Sequence, residues 1–187
     1  RHRLYQVDTT GYFDLVGSDL SFEGESSDLY LAASTWLGSR MPVAKKHPVV
    51  WLGGTYKGNP QPEPLFSAPG IIATQDPPAG PSRGTVLSEE VGNNYFAADV
   101  RVERDSMLVL KATYHPNWRA TIDGVKTDTV MLMPSFVGVR LPPGSHKVRL
   151  EYLPRRLRMI LLGLGLLALP LIFVGEKIGR ASGRERV

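Results

Sequence analysis

A chain of 187 residues with a net charge of +4 has room for one ordinary domain and an appendage. Its Lys and Arg are scattered, which excludes the continuous basic stripe that nucleic acid requires, so no nucleic-acid partner is expected. The absence of cysteine excludes a disulfide framework and any thiolate zinc site. The chain starts at Arg1 without a Met or a signal peptide and so reads as a fragment of a longer protein.

In chain order, residues 12–16 (YFDLV) predict a short strand. Ser26, Ser27 and Asp28 offer capping oxygens to a helix in which Leu29, Ala32, Ala33, Trp36 and Leu37 recur at helical spacing, with Gly38 as its stop. Residues 49–52 (VVWL) predict a second strand, ended by Gly53 and Gly54. Residues 1–57 thus form a short α/β segment of β-α-β type, too small to stand alone, expected to dock on the remainder or on an absent part. Seven prolines in residues 58–82 prevent helix or sheet from propagating and predict a linker or a surface strap.

In residues 83–154 the period changes to two. Phe96, Ala98, Val100 and Val102 alternate with Asp99, Arg101 and Glu103, and the pattern returns at Leu108, Leu110, Ala112 and Tyr114, at Trp118, Ala120 and Ile122, and at Val148, Leu150 and Tyr152. Asp123-Gly124 supplies the positive φ of a tight hairpin, and Pro142-Pro143-Gly144-Ser145 a further turn between expected antiparallel neighbours. The fold class expected is mainly β, a small antiparallel β-sandwich, jelly-roll-like, with the short α/β segment before it.

Residues 155–177 begin with Arg155, Arg156 and Arg158, and 159–175 carry no charge, which predicts one C-terminal transmembrane helix with a basic flank and the lipid bilayer as partner. Residues 178–187 (IGRASGRERV) are near-identical to a sequencing-adapter read translated in frame, and are given no function.

The most distinctive stretch is Tyr114-His115-Pro116-Asn117-Trp118, followed by Asp123-Gly124, Phe136-Val137-Gly138-Val139 and Leu141-Pro142-Pro143-Gly144-Ser145-His146-Lys147-Val148. This pattern, leading into a last hydrophobic segment, resembles the C-terminal region of YfhO-like bacterial polytopic membrane proteins. Those proteins look like GT-C glycosyltransferases, which take a sugar from a polyprenyl-phosphate carrier on the outer side of the membrane and place it on an envelope acceptor. The resemblance implies the bacterial cytoplasmic membrane, the β-domain on the outer face, and carrier or envelope glycan as partners through a missing part. It also implies an acidic catalytic residue in an early outer loop, for which this chain has no counterpart. The expected role is therefore an extracytoplasmic accessory domain. The alternative is a membrane-tethered, non-enzymatic β-sandwich that binds envelope glycan or protein.

Tyr114 and Trp118 offer aromatic faces to a sugar ring, with hydrogen bonds from His115 or Asn117, although both aromatics fall on the apolar side of their strands, where sandwich core is the competing reading. Arg155, Arg156 and Arg158 offer paired donors to a lipid-linked phosphate, or simply anchor a helix end at the interface. The four histidines lack ligand spacing, and no nucleophile elbow, P-loop or dinucleotide glycine pattern occurs, so no catalytic residue, metal or cofactor is expected within this chain.

Overall fold

The computed structural model describes residues 11–53, the backbone of 65–66, and residues 80–153 and 160–170. The strands and one helix follow in the order β1 (Phe13–Val16), β2 (Ser21–Gly24), α1 (Leu29–Leu37), β3 (Val49–Leu52), β4 (Leu65–Phe66), β5 (Gly84–Val91), β6 (Tyr95–Val102), β7 (Ser106–Thr113), β8 (Trp118–Ile122), β9 (Val125–Thr127), β10 (Val130–Leu132), β11 (Phe136–Leu141) and β12 (Gly144–Tyr152). They build two sheets: an antiparallel one ordered β5-β6-β12-β8-β9, and a mixed one ordered β1-β7-β11-β10-β3-β2-β4.

Alternating residues of both sheets meet in one core. Ala98, Val100, Val102, Trp118, Ala120, Val148 and Leu150 from the five-stranded sheet pack on Phe13, Leu15, Leu108, Leu110, Val137, Val139 and Leu141 from the other. This is the β-sandwich expected from the period-two pattern. The positive-φ pair Asp123 (φ 51°) and Gly124 (φ 83°) makes the tight β8–β9 turn, with Ile122 paired to Val125.

Three local expectations differ from the structure. The Pro142-Pro143 turn does not join neighbours in one sheet, because β11 and β12 belong to different sheets and the turn carries the chain across the sandwich. The β-α-β unit uses β2, not the strand at 12–16: β2 runs parallel to β3 around α1, while β1 pairs antiparallel with β7. The Asp28 carboxylate does not cap α1 but turns back to accept the Glu25 N–H at 2.9 Å. Gly38 does end the helix, its N–H bonded to the Ser34 carbonyl. Ala32 and Trp36 bury its apolar face among Phe22, Met41, Val50 and Met133, whereas Leu37 is exposed.

β7 is buried on both faces, since Met107 and Val109 point away from the sandwich core into a second cluster with Val16, Val49 and Leu132. Gly138 on β11 leaves the space that Leu132 fills: a Cβ there would lie 2.5 Å from Leu132 Cδ1.

Described by itself, the C-terminal unit contains a helix over residues 160–170 with exposed leucines. The expected transmembrane helix is corrected here: no helix among the described residues is long and apolar enough to cross a membrane. At about 1.5 Å per residue the described turns span roughly 16 Å, about half of a hydrocarbon core. Apolar composition over 159–175 registers the kind of side chain, whereas crossing depends on the length of continuous helix.

Candidate functional site

The loop carrying Tyr114 to Trp118 connects β7 to β8 and so crosses from one sheet to the other. The Trp118 indole is buried, contacts Phe96 (ring centroids 6.1 Å apart) and Tyr152 (5.4 Å), and donates its Nε1–H to the Thr113 carbonyl at 3.1 Å. His115 lies edge-on to Tyr152 and its Nδ1 accepts the Asn117 N–H at 3.1 Å. Arg119 closes the loop by donating to the Pro116 carbonyl at 2.7 Å. Of the four aromatic and polar candidates in this loop, Trp118 therefore faces the core, and His115 and Asn117 hold the loop's shape. Arg155, Arg156 and Arg158 lie outside the described residues.

The other motif residues act at the opposite end of β8. The Asp123 carboxylate accepts the Lys147 N–H at 2.8 Å and lies 2.8 Å from His146 Nδ1, while His146 Nε2 faces the Pro142 carbonyl at 3.1 Å. The hydrogen bonds from His146 and from the Lys147 backbone hold the Asp123 carboxyl below its usual range. The hairpin turn is thereby clasped to the start of β12, which accounts for the D-G and P-P-G-S-H-K pieces as parts of one fastening.

Tyr114 is placed differently. Its N–H donates to the Ser135 carbonyl, and the half-buried residue, packed against the sandwich core as expected, also lines an open cleft of about 560 Å³. β3 contributes Trp51, the approach to β10 contributes Thr129, and Thr113, Pro116 and Ser135 complete the rim, with Val130 and Met131 on the floor. Among the described residues, no charged side chain lines it. Pairing of β3 with β10, Val50 opposite Met131, brings Trp51 to this place from a distant part of the sequence. Sequence reasoning singled out Tyr114 but missed Trp51, Thr129 and Ser135. The available signal was a tryptophan in a short apolar strand, which reads equally well as core.

An aromatic wall with hydroxyl groups and no charge suits an uncharged, partly apolar ligand such as a sugar ring, whose C–H face stacks on an aromatic ring while its hydroxyls exchange hydrogen bonds with Ser, Thr and Tyr.

No curated protein and no solved structure matches the chain. A family model described as bacterial membrane protein YfhO matches residues 83–162, which hold β5 to β12 and so every motif that fastens the sandwich. Residues 83–162, less than half of the chain, are thus similar to a region of the bacterial membrane protein YfhO family.

Proposed function

We propose that the β-sandwich is an extracytoplasmic accessory domain of a membrane protein resembling lipid-linked-sugar-dependent glycosyltransferases, and that it holds an envelope glycan in the cleft between Trp51 and Tyr114. Sugar transfer itself belongs to the rest of the parent protein. The observation that carries the reading is the cleft's lining among the described residues: two aromatic residues, three hydroxyl residues from Thr113, Thr129 and Ser135, and no charge, in a volume of about 560 Å³ that accommodates one or two sugar rings. The family match supports the membrane setting.

A panel of bacterial-envelope oligosaccharides titrated against the full chain tests the reading. Uncharged oligosaccharides are expected to bind, and Thr129→Arg, which fills the rim without touching the sandwich core, is expected to abolish binding at an unchanged melting temperature. Binding that survives Thr129→Arg, or no binding by any of the panel, refutes the assignment.

A further inference from the structure

A second cavity, of about 370 Å³, is opposite in character to the aromatic cleft. Lys45 and Lys46 reach it from the turn after α1, Arg83 from the residue before β5, and Arg104 from the β6–β7 turn. Among the described residues, two carboxylates answer these four cations. Asp14 accepts from Lys45 at 2.7 Å and is shared with Lys111 at 3.4 Å, while Asp19 pairs with Lys46 and lies 3.9 Å from Arg83. Positive charge is left in excess among the described residues.

The cations are partly buried and lie near one another. Burial, and then the charges of Arg83 and Arg104, push the Lys46 ammonium below its usual range, and burial followed by Arg104 does the same to Arg83. The two guanidinium groups are held in place rather than left to swing. Arg83 donates to the Asp105 carbonyl at 2.9 Å and Arg104 to the Pro81 carbonyl, and Arg104 Nε is buried with no hydrogen-bond partner among the described residues. A buried donor without a partner and a fixed set of like charges around a cavity are both relieved by one occupant, a multiply charged anion.

We propose that this cavity is a phosphate site, taking a phosphate or diphosphate ester through Lys45, Lys46, Arg83 and Arg104. Guanidinium groups present paired donors to phosphate oxygens and the lysines add point charge. The site and the aromatic cleft share no lining residue, so each stands or falls without the other.

Calorimetric titration of the full chain with inorganic pyrophosphate at low ionic strength tests the proposal, beside flotation with phosphatidylglycerol and with phosphatidylcholine vesicles. Pyrophosphate is expected to bind, more weakly as salt rises. Arg104→Gln should weaken it about tenfold or more, in line with the loss of a charged hydrogen bond. Val43→Glu, which adds a carboxylate at a 90% exposed position on the rim, should weaken it with no change in folding, and keeps the test open if Arg104→Gln unfolds. Lys126→Gln, which removes one exposed charge outside the cavity, should leave binding unchanged. Selective flotation with phosphatidylglycerol, competed by pyrophosphate, identifies a lipid headgroup as the source of the phosphate; pyrophosphate binding without flotation identifies a free phosphate ester. Failure of both ligands to bind, or equal loss in Val43→Glu and Lys126→Gln, overturns the proposal.

Discussion

Replacing Trp118 with alanine separates a core role from a ligand platform, because the two roles predict different losses. The side chain is 7% exposed and meets Phe96, Tyr152 and the Thr113 carbonyl. An indole burying on the order of 200 Å², at ~25 cal/mol per Å², contributes about 5 kcal/mol, of which alanine retains a part. The expected cost of Trp118→Ala is thus about 4 kcal/mol, a large share of the roughly 5–15 kcal/mol that holds a domain of this kind folded. Trp118→Phe, which keeps most ring contact but removes the donor to Thr113, should cost about 2 kcal/mol. Trp118 and Tyr152 are also register partners across β8 and β12, so a double-mutant cycle between them should give a coupling of about 1 kcal/mol. Urea unfolding followed by far-ultraviolet circular dichroism measures all three, since fluorescence would lose one of its reporters. A cost below about 1 kcal/mol for Trp118→Ala at an unchanged urea dependence would refute the core assignment.

Gly138→Ala should destabilise by about 1–3 kcal/mol through the clash with Leu132, read as a shift in the urea midpoint. Gly84→Ala should cost about 3 kcal/mol or more, because φ there is +131° and a Cβ would fall 1.9 Å from the Arg101 carbonyl oxygen; thermal melting shows it. Burial lowers the pKa of His47, whose Nδ1 donates to the Met133 carbonyl at 2.7 Å beside Trp36. The unfolded chain therefore binds the proton first, so stability is full above about pH 6.5 and is lost as pH falls toward the folded pKa; a His47→Gln variant should flatten that slope in melts between pH 7.5 and 5. Asp123→Asn keeps a turn that Asn tolerates but weakens the clasp to His146 and Lys147, so the melting temperature should drop at neutral pH; the gap to the parent should begin to close only below about pH 3.8 and vanish once pH has fallen through the lowered Asp123 pKa.

The sandwich was legible where burial is one-sided. β6 and β12 alternate cleanly because one face of each meets the core and the other meets water, and the D-G turn requires a backbone conformation that few residues adopt. β7 was half-legible, since a strand covered on both faces shows a continuous apolar run in which the alternating half is only one of two. The partition into sheets was not legible. A Pro-Pro-Gly turn looks alike whether it joins neighbours or crosses the sandwich, and β2, with Glu23 and Gly24 in four residues, carries too little pattern to be seen. The cleft was beyond local reading for the same reason: Trp51 and Thr129 meet only because β3 pairs with β10, a contact between residues about eighty positions apart. Near Tyr114, apolar-side placement correctly put Tyr114 and Trp118 against the core alike, but could not tell that Tyr114, the less buried of the two, also borders the cleft.

The measurement that bears most directly on the central claim is amide and indole chemical-shift mapping of the full chain titrated with an envelope oligosaccharide. Perturbations confined to the Trp51 indole N–H, Thr113, Tyr114, residues 129–131 and Ser135 are the predicted result. Shifts that are absent, or that gather instead around Lys46 and Arg104, would contradict the assignment of the aromatic cleft as the glycan site.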